Sequence, residues 1–118
     1  MRKILLTVLV LIYVLVFSSM AGATMDVKLY GKVRETQEFK LYIKGVGFGL
    51  VVANTYMLIE NKERLFCQPM NLVLETENFI RILDDEIARQ ELQDFKKTQE
   101  TSIELLLVRG LIHTFPCK

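Results

Sequence analysis

The sequence predicts an all-α protein, a small bundle of three to four helices held by one disulfide. Three observations lead there. Apolar residues recur at helical spacing in three segments, no hairpin dipeptide such as Asn-Gly occurs, and two well-separated cysteines follow an export-type N-terminus.

The chain opens "MRKILLTVLVLIYVLVFSSMAGA". Arg2 and Lys3 form a positive start, an apolar run of 14 residues spans Ile4 to Phe17, and Ala21-Gly22-Ala23 supplies a small-residue A-x-A pattern. That order is expected of a secretory signal peptide over residues 1–23, cleaved after Ala23. The alternative is an uncleaved membrane anchor, against which the run is shorter than the roughly 20 residues a span requires. No cysteine near residue 20 offers a lipid-anchor site, and no second apolar stretch is expected to reach membrane length. The mature chain, residues 24–118, is then exported without a membrane segment, with the periplasm as its compartment.

Cleavage removes two of the 15 basic residues and leaves 13 against 14 acidic ones, a net charge of −1. Such a balance gives no electrostatic reason to expect nucleic acid or an anionic membrane as partner. The remaining 95 residues of the 118 make one small domain, residues 24–118, which a cross-link would help. Two cysteines in an oxidising compartment allow one intramolecular bridge, Cys67–Cys117. It would close a loop of about 50 residues, contribute about 4 kcal/mol on the chain-entropy model, and pin a tail that otherwise frays. An intermolecular bridge or a reactive thiol is the alternative.

The elements follow in order. "TMDVKLYGKV" reads as a short helical arm broken at Gly31. From Glu35 to about Glu60, Phe39, Tyr42, Ile43, Val46, Leu50, Ala53 and Met57 are spaced 3, 1, 3, 4, 3 and 4, which fits one helix face. Gly45 and Gly49 share a face where a neighbouring backbone could approach. A strand reading of "GLVVANTYM" rests on its β-branched residues, but the helical period holds on both sides of the glycines. "ENKERLFCQPM" is a loop closed by Pro69. A second long helix is expected over roughly Glu75 to Gln90, with Thr76 as N-cap and Leu72, Phe79, Ile82, Leu83 and Ile87 on its buried side. "RQELQDFKKTQET" reads as a connecting loop or exposed helix start. A third helix, about Thr98 to Thr114, carries Ile103, Leu106, Leu107, Gly110 and Leu111 on one face and stops at Pro116.

Residues able to do chemistry are few. His113 is the only histidine and sits where a helix C-terminus favours a positive charge. With Cys67 and Cys117 it would make three zinc ligands, and a disulfide removes both thiolates; a Cys–His dyad fails for the same reason. "GVGFG" lacks the Lys-Ser/Thr of a phosphate loop. Asp84, Asp85 and Glu86 form the densest acidic run, either a solvated helix end or a charged contact with a partner; consecutive carboxylates point apart and do not make an acid/base pair. No enzyme activity, cofactor or metal is expected.

Three pieces in order, "YIKGVGFG" (Tyr42, Gly45, Gly49), "LFCQP" (Phe66, Cys67, Pro69) and "HTFPC" (Phe115, Pro116, Cys117), resemble the Rap/Tai family of type VI secretion immunity proteins. The resemblance runs from Tyr42 to the end. It implies a small helical protein of the periplasm that binds and inhibits a peptidoglycan amidase effector by occluding its active site, often as a homodimer. It also implies that Tyr42, Gly45, Gly49, Phe66, Pro69, Phe115 and Pro116 hold the fold. Partner contacts are expected, by analogy, in loops 61–66 and 88–98 and at Asp84, Asp85 and Glu86. The chain departs from the family in lacking a further cysteine pair, in placing Phe48 where relatives often carry an acid, and in having no proline before the last helix. Two other classes fit composition alone: a periplasmic acid-stress chaperone of the Hde type, and an exported binding or structural domain whose motif residues serve packing.

Overall fold

A computed structural model describes residues 1–18 and 24–118. The described residues are all-α, with six helices and no strand: α1 (Arg2–Ser18), α2 (Val27–Val33), α3 (Gln37–Ile59), α4 (Thr76–Glu91), α5 (Phe95–Gln99) and α6 (Ile103–Thr114). The expected count of three to four falls short because α1 is itself a helix and the polar segment before α6 winds into the single turn of α5. The expected cleavage motif, on residues 19–23, lies outside the described residues.

Helices α2 to α6 each begin on a side-chain acceptor or a reciprocal cap. Asp26, Thr36, Asp94 and Ser102 accept the backbone N–H three residues on, for α2, α3, α5 and α6 in turn. For α4 the N-cap is Glu75 rather than Thr76, and Asn78 Oδ1 accepts from the Glu75 N–H at 2.8 Å. α2 continues through Gly31, where a break is expected, because its next turn is held by the Arg34 N–H bond to the Tyr30 carbonyl. Asn61, in the left-handed region at φ 53°, ends α3, and Lys62 bonds back to the Met57 carbonyl at 2.8 Å.

The core lies between α3, α4 and α6, with Tyr30 of α2 and Phe66 of the α3–α4 loop closing it. Ile43, Leu83, Ile103, Leu106, Leu107 and Leu111 are wholly buried. Among the described residues, every residue of the buried core and every side chain packed against it falls between Met25 and Phe115. Gly110 lets α6 cross close to α4: a Cβ there would stand 2.8 Å from Ile82 Cγ2 and 3.0 Å from the Ile82 carbonyl. A short antiparallel bridge, Asp26 to Ser102, ties the arm before α2 to the start of α6 through bonds Val27 N–H to Thr101 O and Ile103 N–H to Met25 O.

Three expectations about α3 are corrected. At 23 residues and mean hydropathy 1.3, it is long and apolar enough to cross a membrane, where no second such stretch was expected; here it packs on the core along one side. Its close-contact glycine is Gly47, whose added Cβ would stand 2.6 Å from the Phe79 ring, while Gly45 and Gly49 face open space. Tyr42 and Ala53, expected in the buried face, are exposed, and Gly47 and Asn54 are buried instead.

Candidate functional site

The α3–α4 loop, residues 60–75, is anchored at several points along its backbone. Cys67 and Cys117 are bonded, with their Cα atoms 4.9 Å apart, and the Cys67 N–H donates to the Phe115 carbonyl at 2.7 Å. Phe66 inserts its ring into the core. Asn54, buried on α3, reads the loop backbone on both sides: its Nδ2 donates to the Phe66 carbonyl at 2.7 Å, and its Oδ1 accepts from the N–H groups of Leu65 at 2.9 Å and Phe66 at 3.3 Å. A buried amide satisfied this fully fixes the segment it touches.

Beyond these anchors the chain makes a tight turn from Pro69 to Leu72. The Leu72 N–H bonds to the Pro69 carbonyl at 3.0 Å, and the Gln68 side-chain amide donates to the Leu72 carbonyl. Met70 stands at the tip of the turn, 90% exposed, with Val73 75% exposed just after it. Two apolar side chains are thus held in water by a backbone that is fixed on three sides. Between this turn and the C-terminal half of α3 runs a groove of about 430 Å³. Along the outer side of α3 a stripe of Leu41, Phe48, Val52, Tyr56 and Ile59 is also exposed, with Gly45 and Gly49 among them. Exposed apolar side chains gathered along one helix face are the kind of surface on which proteins associate.

The acidic run of α4 splits three ways. Asp84 is turned to the arm: Tyr30 Oη donates to its Oδ1 at 2.6 Å and Arg34 Nη2 to its Oδ2 at 2.9 Å, with the Arg34 guanidinium also over the Tyr30 ring. Asp85 is exposed. Glu86 is 0% exposed, which a partner contact and a solvated helix end both forbid. Its carboxylate accepts from Arg89 at 3.0 Å and Gln90 at 2.8 Å, and His113 Nδ1 lies 2.7 Å from its Oε2. Buried charge persists only when paired in this way. His113 therefore has a specific partner on α4 beyond the helix end. Steps of 100° between successive residues send the three side chains in different directions.

Tyrosines record the same geometry. Burial, then the hydrogen bond from its hydroxyl to Asp84, pushes the Tyr30 phenol far above its ordinary value; burial and a hydrogen bond to Glu104 push Tyr42 up to about 12. A phenol whose folded pKa is raised adds stability that is complete below the unfolded value of 10.0 and lost as pH rises above it. Thermal melts between pH 9 and pH 11.5 are expected to show a steeper fall for the native chain than for Tyr30→Phe. Parallel falls would remove Tyr30 from the account.

Of the residues the sequence singled out, Cys67, Cys117, Phe66, Pro69 and Phe115 meet at one end of the bundle, where Pro116 joins Phe115 to the bridge. Gly45 and Gly49 lie outside on α3, as does half-exposed Tyr42, and Asp84 and Glu86 are engaged inside the fold. Asn54 and the Met70 turn escaped the sequence reading, since an asparagine in an apolar helix and a methionine in a loop carry no periodic signal. Among the described residues no group of three His, Cys, Asp or Glu side chains could hold a metal ion. No family model matches the sequence, and no curated protein or solved structure matches the chain.

Proposed function

We propose that the chain is an immunity-type protein of the periplasm that binds a peptidoglycan amidase effector and blocks its active site. One observation carries the reading: the Pro69–Leu72 turn presents Met70 and Val73 to solvent from a loop pinned by a disulfide, a buried phenylalanine and Asn54. A surface ordered before binding loses little entropy on binding, which suits occlusion of a cleft without chemistry. The ordered resemblance from Tyr42 to Cys117 supplies the effector class. The homodimer implied by the same resemblance has its surface in the exposed stripe of α3.

The test is capture of residues 24–118 with candidate amidases, scored by complex stoichiometry and by peptidoglycan cleavage. A stoichiometric complex that stops cleavage is expected. Met70→Asp with Val73→Asp is expected to weaken inhibition about 30-fold or more, the size of a hot-spot loss of about 2 kcal/mol, with an unchanged melting temperature. Failure to form a complex with any candidate rejects the inhibitor reading. Inhibition untouched by the double change moves the contact away from the turn.

A further inference from the structure

We propose that the groove between the Pro69–Leu72 turn and α3 receives one segment of the protein partner, in which a large apolar side chain stands next to a carboxylate. This deepens the protein-binding reading and rests on it. The groove is about 430 Å³, room for a large side chain and part of its backbone. Val51, Leu58 and Ile59 of α3 form one wall, Met70 and Leu72 of the turn the other, and Arg64 stands among them.

The polar groups of the groove decide the rest. Asn54 spends its amide on the loop backbone, and the Thr55 hydroxyl donates to the Val51 carbonyl. Gln68 gives its amide N–H to Leu72, while its side-chain oxygen is buried and has no hydrogen-bond partner among the described residues. Arg64 is half-buried and forms no ion pair among the described residues, although Glu60 and Glu63 are near it in sequence. A guanidinium held beside apolar walls, with its fork of donors unspent, matches a carboxylate better than any neutral group. An apolar side chain fills the walls and the adjacent acid reaches Arg64.

Residues 24–118, labelled for NMR, are titrated with a capped Gly-Leu-Asp-Gly peptide and with its Gly-Leu-Asn-Gly counterpart. The aspartate peptide is expected to shift the signals of Val51, Leu58 and Ile59 and to bind about fivefold or more tightly than the asparagine one, the size of a single charge-assisted contact. Arg64→Gln is expected to erase that preference while leaving the spectrum of the core in place. Equal binding of the two peptides, no shifts from either, or a preference that survives Arg64→Gln overturns the proposal. No amidase enters this experiment. Peptide discrimination without an amidase complex rejects the effector and keeps the groove; a normal amidase complex without peptide discrimination does the reverse.

Discussion

Cys67→Ser with Cys117→Ser is expected to melt about 10–30 °C below the native chain, the largest effect of any change considered. The bridge joins residues 50 apart in sequence. Closing a loop of that length contributes about 4 kcal/mol on the chain-entropy model, with measured losses of about 2–5 kcal/mol when small exported domains lose a bridge. For a domain this small, each kcal/mol moves the midpoint by about 4–8 °C. The native chain under reducing conditions should melt with the double variant. The lost bridge also frees the loop around Phe66, so on the proposed inhibitor reading inhibition should fall further than the folded fraction does. A melting temperature unmoved by either treatment would falsify the staple.

The second expected result is a contrast within one short stretch of α3. Gly47→Ala is expected to destabilise by about 1–3 kcal/mol, because its methyl group would enter the Phe79 ring and that ring is held in the core. Gly45→Ala and Gly49→Ala meet nothing within 4 Å, and alanine there should stabilise by about 0.5–1 kcal/mol through helix propensity alone. Denaturant midpoints of the three variants decide it. Three equal shifts would mean that α3 does not sit on Phe79 as described. Since Gly45 and Gly49 also lie in the exposed stripe, a change at either that leaves stability intact but alters self-association would locate a second copy on that face.

Much of the fold was legible because burial follows period. On α6 the five expected residues, Ile103, Leu106, Leu107, Gly110 and Leu111, are all buried, and on α4 Phe79, Ile82, Leu83 and Ile87 are as expected, whereas Leu72, expected beside them, lies exposed in the loop before the helix. The cysteine pairing followed from arithmetic. The face of α3 came out rotated, because the true stripe passes through Gly47 and Asn54, which an apolar count passes over, and so Tyr42 and Ala53 were taken in their place. Asn54 is buried for the hydrogen bonds it makes to a loop that follows it in sequence, and hydropathy holds no record of a contact of that kind. Likewise the acidic run reads as three equal charges, yet it is divided by helix geometry between Tyr30, solvent and His113. The turn at Met70 was hidden for a further reason: its value lies in being held still, which depends on Cys117 at the far end of the chain.

That bridge also changes how the protein comes apart under load. A pull on Lys118 is passed through the sulfur atoms to residue 67, so α6 cannot be drawn off the bundle one turn at a time. The covalent ring from Cys67 to Cys117 encloses α4, α5 and α6 together. A degradation machine that engages the C-terminus must therefore admit three lengths of chain at once or wait for reduction, whereas one that starts from the N-terminal side can unwind α2 and α3 first.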